Sequence, residues 1–273
     1  MADLSINSEL VAPILRQFIR EEVLKVGAAG VVVAVSGGVD SALAAWLAVE
    51  ALGPAAVTAI ALPYRLSHPG SLADARMLAE QLGLELLVRD ISPQIDAYFQ
   101  ALPPADATRR GNKMARERMS VIYDLSSTLS ALVLGTSNKS EILLGYSTLW
   151  GDSAHALNPL GDLYKTQVFE LGRHLGLPEP ILSKPPSADL FEGQSDEADL
   201  GFTYLLADQV LFHLVDERRG PAELAELGFA PELVETIWAR VRSSQFKRRP
   251  PLIAKVSARS VEQDFRYPRD WGH

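Results

Sequence analysis

The sequence predicts an α/β protein with a doubly wound parallel sheet and a helical C-terminal region. Short β-branched and apolar runs alternate with longer segments of helical periodicity, as in successive β–α–β units. Several of these runs end in polar or glycine-rich turns, and ligands of such sheets bind beyond the carboxyl ends of the strands. We expect a single domain with an α/β core over residues 1–185. Residues 186–273 would add a loop, helices and a basic tail.

In the first half of the chain, predicted helices alternate with predicted strands. Residues 10–26 have apolar side chains at helical spacing and predict a helix. The run Val31–Val35 predicts a buried strand, because β-branched residues favour that conformation. The next predicted elements are a helix over 42–52, a strand over 57–62, a helix over 74–82 that Gly83 ends, and a strand over 85–88.

The second half continues this alternation and then becomes helical. A long helix over 114–129 precedes a fourth strand over 131–134, and a further helix covers 164–175. Residues 184–201 are rich in proline, glycine and acidic side chains, which indicates a loop. Three more helices are predicted over 202–215, 222–227 and 231–241, before a basic, proline-rich tail that starts at Phe246.

Composition excludes several function classes. The sequence contains no cysteine, which removes a cysteine nucleophile, thiolate metal sites and disulfides. The net charge of −8 argues against a nucleic-acid partner. No apolar run approaches the ~20 residues of a membrane span, and the first residues lack a basic, apolar leader. We therefore expect a cytoplasmic protein without a membrane partner.

The most informative motif follows the first strand and reads Ser36, Gly37, Gly38, Val39, Asp40, Ser41. A glycine-rich turn between a strand and a helix lets backbone N–H groups approach a phosphate. A carboxylate such as Asp40 suits a phosphate site when Mg²⁺ lies between the two groups. The motif therefore predicts an ATP–Mg²⁺ site, and the alternative is an ordinary strand-to-helix turn.

Two later segments could complete that site. Thr136 and Glu141 follow the fourth strand, and Glu141 with Asp40 would supply two carboxylates for Mg²⁺. Lys165 opens a helix and could neutralise the phosphates that leave ATP. The alternatives are an acid that only complements a helix N-terminus and a solvated surface lysine.

Taken together, these strings resemble the NAD synthetases, which belong to the ATP pyrophosphatase group with a Rossmann-like nucleotide-binding fold. The matching strings span almost the whole chain: Ser36–Ser41, Leu62–Arg65, Gly111–Met119, Gly135–Glu141, Gly145–Asp152, Asp162–Lys165, Pro186–Leu190 with Ser195–Glu197, and Phe246–Arg248. The resemblance implies ammonia-dependent amidation of deamido-NAD through an adenylated intermediate. The substrates would be ATP, deamido-NAD and ammonia, with Mg²⁺ as the cofactor.

The resemblance also assigns residues by motif. The loop Ser36–Ser41 with Thr136, Lys165 and Ser187 would bind ATP, and Asp40 and Lys165 would be catalytic. Asp40 and Glu141 would hold the metal. Asn112, Arg116, Glu141 and Lys247 would contact deamido-NAD.

This chain departs from the short, ammonia-using members at Phe246, Leu149 and Ala156, where many of them have His, Lys and Asp. Its Thr-Leu-Trp-Gly-Asp and Phe-Lys-Arg strings look more like the synthetase half of the larger glutamine-dependent enzymes. The glutaminase half of those enzymes uses a cysteine, which this chain lacks, so ammonia is the expected nitrogen source. A separate glutaminase subunit is compatible with the sequence.

The resemblance further implies a homodimer. Met114, Arg118, Val121, Ile122 and Leu125 form a broad stripe on the predicted helix 114–129, and a second copy would cover part of it. Two other functions stay open. One is a different amidating or thiolating ATP pyrophosphatase, such as the GMP synthetase type, and the other is a nucleotide-binding sensor without turnover.

Overall fold

A computed structural model describes residues 2–100, 102–187, 195–261 and residue 264. Within these residues, one sheet of four parallel strands forms the centre of the fold. The strands are β1 (Val31–Ala34), β2 (Val57–Ala61), β3 (Leu86–Val88) and β4 (Leu132–Leu134), in the order β3–β2–β1–β4. Because β2 and β4 pair on opposite sides of β1, the topological switch lies at β1, where such sheets bind ligands.

Helices cover both faces of the sheet and continue beyond it. They are α1 (Ser8–Lys25), α2 (Val39–Leu52), α3 (Pro69–Gln81), α4 (Ser92–Gln100), α5 (Ala107–Leu129), α6 (Lys139–Leu144), α7 (Lys165–Leu175), α8 (Glu179–Leu182), α9 (Asp196–Leu200), α10 (Tyr204–Leu211), α11 (Pro221–Glu226) and α12 (Pro231–Ser243). A π-helical turn, Phe212–Asp216, extends α10, and a 3₁₀ turn, Gln245–Arg248, follows α12. The predicted doubly wound sheet with a helical C-terminal region is confirmed.

The strand β1 is buried on both faces, which explains its continuous run of valines. Val31 and Val33 point into a core that α1, α2 and α7 close, whereas Val32 points to the opposite face, where α4 and α5 pack. The strand β1 therefore lies between two apolar layers, and α2 packs in one of them. That arrangement fixes the turn that follows β1.

A separate apolar cluster holds the helical region together. Leu144 from α6 and Tyr164, just before α7, pack with side chains of α10 and α12 such as Leu211 and Ile237. The C-terminal helices thus contact the two short segments that carry Glu141 and Lys165. This cluster joins the helical region to the carboxyl edge of the sheet.

Several predicted boundaries were wrong, and local capping explains two of them. The helix α3 begins at Pro69 rather than at residue 74, because His68 Nδ1 accepts a hydrogen bond from the N–H of Gly70 (3.1 Å) and proline suits a first helical position. The helix α5 begins at Ala107 rather than at 114, because Asp106 accepts a hydrogen bond from the N–H of Arg109 (2.7 Å). Both first turns are polar and lack apolar periodicity.

Other differences concern whole elements. The helix α2 begins at Val39 rather than at 42, which places Asp40 in its first turn. The predicted loop 184–201 contains the helix α9, while its residues 188–194 lie outside the described part of the chain. The helix α4 was not predicted, although Ile95 and Phe99, one turn apart, bury its inner face.

None of the helices in the described ranges combines the length and the apolar character needed to cross a membrane.

Candidate active site

The turn after β1 is a compact loop that is held by its own hydroxyl groups. Ser41 Oγ accepts a hydrogen bond from the N–H of Ser36 (3.1 Å) and donates one to the carbonyl of Gly38 (3.0 Å). Gly37 has φ +81°, and a Cβ there would lie 2.3 Å from the carbonyl oxygen of Ser71. Only glycine fits this position, because both the left-handed conformation and the close approach exclude a side chain.

A cavity of about 1290 Å³ opens beside this loop at the carboxyl edge of the sheet. Of the site residues predicted from the sequence, only Gly37 and Arg116 do not line this cavity. The residues that line it are Ser36, Gly38, Val39, Asp40, Ser41, Asn112, Thr136, Glu141, Lys165, Ser187 and Lys247. Leu62 and Pro63, which follow β2, line it as well. The volume exceeds the roughly 300–1,000 Å³ of pockets for one drug-sized ligand.

Lys165 lies at the centre of the charged groups. Its Nζ forms ion pairs with the carboxylate of Asp40 and with Glu141 Oε1, the latter at 3.2 Å, and it lies 5.2 Å from the centre of the Tyr204 ring. Burial by itself lowers the pKa of this amine, but the charges of Asp40 and Glu141 outweigh it and raise the pKa of Lys165. These contacts favour the charged form of Lys165, which lies buried beside the turn Ser36–Ser41.

Asn138 connects the two carboxylates. Its Nδ2 donates to Asp40 Oδ1 (2.8 Å), and its Oδ1 accepts from the N–H of Glu141 (2.9 Å). The N–H of Asn138 in turn donates to Glu141 Oε2 (3.3 Å), which completes a capping box at the start of α6. Asn138 was not among the predicted site residues, although Asn followed by Glu three residues later is a recognisable signal for this cap.

The donor set of Asp40 and Glu141 fits a hard divalent cation such as Mg²⁺. Burial and then the negative charge of Asp40 raise the pKa of Glu141 to about 8, although Lys165 partly opposes this effect. A nearby dication would favour the ionised form of both acids. Within the described residues no group of three or more acidic, His or Cys side chains is arranged for a metal ion, and Mg²⁺ commonly uses one or two carboxylates plus substrate phosphates.

The residues expected at the dinucleotide occupy different positions. Asn112 faces the cavity, where its Oδ1 accepts from Thr148 Oγ1 (2.8 Å). Arg116 is exposed, and its Nε donates to the carbonyl of Leu149 (3.2 Å). Lys247 Nζ donates to the carbonyls of Gly145 (2.7 Å) and Ser147 (2.6 Å), and burial lowers its pKa.

Further charged residues of the cavity were not predicted. Asp152 and Asp196 line it, and burial raises the pKa of Asp152. Lys184 also lines it and contacts Ser71 Oγ (3.1 Å) and Asp74 Oδ2 (3.0 Å). Asp152 and Asp196 belong to the matching strings Gly145–Asp152 and Ser195–Glu197, but no role was assigned to either acid from the sequence. Lys184 lies outside these strings and carries no local signal of function, so only the folded chain brings it to the site. Among the described residues, Phe246, Leu149 and Ala156 do not line the cavity.

Comparison with known proteins places the whole chain among relatives of similar length. A family model described as NAD synthase matches residues 11–251. A protein of Trichlorobacter lovleyi named NH(3)-dependent NAD(+) synthetase is 55% identical over 272 residues, which cover 100% of both chains.

Solved structures agree in fold. An NH3-dependent NAD synthetase from Campylobacter jejuni, in complex with the nitrate ion, has a TM-score of 0.79 at 34% identity and covers 92% of this chain and 100% of its own. A structure of NMN synthetase from Francisella tularensis has a TM-score of 0.81 at 32% identity and covers 91% and 99%. The similarity thus includes both the sheet and the C-terminal helices.

Proposed function

Because the chain belongs to the NAD synthase family, we propose that it is an ammonia-dependent ligase that converts deamido-NAD to NAD. In the first step the nicotinate carboxylate attacks the α-phosphorus of ATP, and pyrophosphate leaves. In the second step ammonia attacks the acyl adenylate, AMP leaves and a proton is released. One observation carries this proposal: a buried lysine flanked by two carboxylates lies beside a glycine-rich loop in a cavity of about 1290 Å³.

The first step requires charge stabilisation at the departing pyrophosphate. The backbone N–H groups of Ser36–Ser41 and the N-terminus of α2 are suited to bind the phosphates. Lys165 stabilises the negative charge that develops on pyrophosphate, because a preorganised cation in a buried site needs no reorganisation during reaction. Asn138 keeps the Asp40 carboxylate in place for this arrangement.

Asp40 and Glu141 would hold Mg²⁺. When bound, Mg²⁺ would neutralise charge on the ATP phosphates. The oxygen donors of both acids line the cavity beside the loop Ser36–Ser41, which supports this assignment because Mg²⁺ commonly binds one or two carboxylates together with substrate phosphates.

The positions around the cavity support an assignment of residues to the two substrates. We assign Thr136 and Ser187 to ATP, and Asn112, Arg116, Glu141 and Lys247 to deamido-NAD. The lining positions of Asn112 and Lys247 support this assignment. Arg116 is exposed on α5, so a contact with the dinucleotide would require that the ligand extend beyond the cavity. The α/β core and the helical region would act as one catalytic domain, because residues of both line the cavity.

Ammonia is the proposed nitrogen source for the isolated chain. The sequence contains no cysteine, so it offers no cysteine nucleophile of the glutaminase kind. A glutaminase subunit that delivers ammonia is compatible with this proposal. We further propose the cytoplasm as the location, since the reaction consumes ATP.

We propose a homodimer in which α5 lies at the subunit boundary. Met114 and Ile122 are buried against the sheet of their own subunit, and Val121 and Leu125 pack against the same cluster. The four apolar members of the stripe predicted from the sequence are therefore mainly internal. Tyr123 and Leu129 of the same helix stay 42% and 38% exposed. Light scattering should give about twice the chain mass. Val121→Asp should reduce both dimer and activity, and a fully active monomer would contradict the proposal.

The test is a substrate comparison with purified protein, ATP and MgCl2. Deamido-NAD with ammonium chloride should give NAD and pyrophosphate in equal amounts, and glutamine should not replace ammonium. Nicotinate mononucleotide tests the function that the name NMN synthetase indicates for the Francisella tularensis protein. Xanthosine monophosphate tests the GMP synthetase type. Absence of pyrophosphate with every substrate would favour a sensor and refute the proposal.

A further inference from the structure

A buried carboxylate on α10 joins the starts of the two helices that carry the site lysine and glutamate. Asp208 is completely inaccessible to solvent. Its Oδ1 accepts a hydrogen bond from Ser140 Oγ at 2.5 Å, and its Oδ2 accepts one from the backbone N–H of Thr166 at 2.9 Å. Ser140 precedes Glu141 in α6, and Thr166 follows Lys165 in α7.

Ser140 completes this connection. Its hydroxyl donates to Asp208 and accepts from the backbone N–H of Lys165 at 2.9 Å. The carboxylate of Asp208 therefore fixes the backbone of α7 at Thr166 directly and at Lys165 through one hydroxyl. The same hydroxyl fixes α6 one residue before Glu141.

Asp216, in the π-helical turn after α10, also connects the start of α6 to the start of α7. Its carboxylate accepts hydrogen bonds from Lys139 Nζ, at 2.8 Å, and from the hydroxyl of Tyr164. Lys139 is the first residue of α6, and Tyr164 caps α7. Two acids of one helical segment thus each bind the start of α6 and the start of α7.

We infer that Asp208 is a positioning residue that sets the geometry of Lys165 relative to Glu141, with Asp216 in the same role farther out. The inference rests on the proposed ligase function. Asp208, Asp216 and Ser140 are not among the described residues that line the cavity. These three would therefore act without contacting substrate. Their effect on catalysis would pass through the backbone of α6 and α7.

Directional bonding distinguishes this carboxylate from ordinary core packing. A buried carboxylate costs desolvation energy, which hydrogen bonds must offset. Apolar side chains in the same place would fill space but would not fix the orientation of the N–H groups beside Lys165. Removal of the carboxylate leaves the Ser140 hydroxyl and the Thr166 N–H unsatisfied, and both helix starts can then shift.

The test compares variants of α10 in the full chain. Asp208→Ala should lower kcat by about 100-fold, because a displacement of roughly 1 Å in a catalytic group has an effect of that size. The KM for ATP should change little, since the loop Ser36–Ser41 is untouched. Asp208→Asn should recover most of the activity, because an amide can accept from Thr166 and donate to Ser140 Oγ.

Gln209→Ala is the matched control. Gln209 is the next residue of the same helix, is buried, and exchanges hydrogen bonds with the backbone of Ala2 rather than with α6 or α7. It should keep the kcat of the parent chain, and an equal loss in both variants would overturn the inference in favour of general destabilisation of α10. Near-parental kcat in a folded Asp208→Ala would also overturn it.

Ser140→Ala tests the same connection with a smaller change. It should lower kcat by about tenfold, and the double variant should lose no more than Asp208→Ala alone, because both act through one chain of hydrogen bonds. If Asp208→Ala does not fold, as judged by circular dichroism, an unchanged kcat in Ser140→Ala overturns the inference. A parent chain that makes no NAD would refute the proposed function instead.

Discussion

The carboxyl edge of the sheet and the C-terminal helical region position polar groups by different means. At the sheet edge, apolar layers bury Val31, Val32 and Val33 completely. The backbone turn between Ser36 and Ser41 is closed by hydrogen bonds of its own hydroxyl groups, at most five positions apart, and within the described residues only the Asp40 carboxylate binds distant residues. In the helical region, single polar side chains reach across the fold. Asp208 binds Ser140 over 68 positions, and Arg248 binds the carbonyl of Ile142 over 106.

This difference shows that the position of the loop and the orientation of the helices beside it are determined by different interactions. Packing of the strand fixes where the loop begins, whereas hydrogen bonds from the helical region fix how α6 and α7 are oriented beside it. A change at the loop should therefore remove the chemistry itself. A change in the helical region should weaken the chemistry and leave the nucleotide site in place.

Asp40→Asn tests the sheet edge and should have the largest effect. The amide is nearly isosteric, so the fold should persist, but the charge that balances Lys165 and the metal ligand are lost. We expect kcat to fall by about three orders of magnitude. Steady-state kinetics at saturating Mg²⁺ measures this.

Glu50→Gln is the matched control for Asp40→Asn. Glu50 lies on the same helix and also pairs with a cation, Arg16, at 3.0 Å. That pair is far along α2 and half-exposed, so turnover should not change. Activity of Asp40→Asn close to that of the parent would contradict the metal and catalytic roles of Asp40.

Gly37→Ala tests the backbone of the loop and should have the next largest effect. A Cβ would meet the carbonyl of Ser71, and the left-handed conformation adds strain. We expect kcat/KM for ATP to fall about 100-fold, and the free energy of unfolding to fall by about 2 kcal/mol.

Gly176→Ala is the control that separates the backbone strain of a positive φ from the steric contact with Ser71 in the Gly37→Ala variant. Gly176 has φ +77°, but a Cβ there would meet no atom of the described residues within 4 Å, so this position carries the strain alone. Urea denaturation should give a loss of about 1 kcal/mol without a kinetic effect. Equal losses of stability and activity in both variants would show that the contact with Ser71 is unimportant.

Arg248→Ala tests the helical region and should have an intermediate effect. The guanidinium donates to the carbonyls of Ile142 (3.1 Å), Leu143 (2.9 Å) and Val241, and so joins α6 to α12. Its loss leaves carbonyls unsatisfied, and we expect kcat to fall about tenfold and Tm by about 4 °C. Arg242→Ala is the control, since its pair with Glu235 is exposed and should contribute little.

The smallest expected effect is a pH dependence of metal stabilisation. The pKa of Glu141 is raised from 4.5 to about 8 by burial and by Asp40, so the folded chain holds a proton that the unfolded chain releases. This stabilising contribution is present at low pH and is lost as pH rises through the folded pKa. Mg²⁺ favours the ionised form of Glu141. The increase in Tm on adding MgCl2 should therefore grow as the pH rises from 4.5 to about 8.

Glu141→Gln provides the reference for that measurement. It cannot ionise, so its Tm should show a weaker pH dependence and a smaller response to Mg²⁺. Differential scanning fluorimetry at several pH values, with and without MgCl2, makes the comparison. An identical pH response in the parent and in Glu141→Gln would contradict the proton assignment.

Local pattern was sufficient to predict the fold class and the position of the turn Ser36–Ser41 between a strand and a helix. Val31–Val35 is a continuous apolar run with valine at every position except Ala34, which is typical of a strand buried on both faces, and the observed strand ends one residue earlier. The starts of α3 and α5 were missed because their first turns are polar and depend on the caps at His68 and Asp106. Apolar periodicity cannot indicate a turn that side-chain hydrogen bonds stabilise.

The supporting contacts of the site could not be predicted in the same way. Asp40, Glu141 and Lys165 belong to local motifs, and the structure brings all three together. Asp208 sits in an apolar helix without a motif, and its two partners lie 68 and 42 positions away. Such a pairing depends on the packing of α10 against α6 and α7, which only the folded chain defines.

The distance along the chain between Asp208 and its partners also has a consequence for synthesis. The chain leaves the ribosome from its N-terminus, so the phosphate loop emerges well before residues 204–216. A growing chain can form the nucleotide loop while Ser140 and Thr166 still lack the carboxylate that orients them. If Asp208 has the positioning role inferred above, the site is completed only when residues 204–216 have been made.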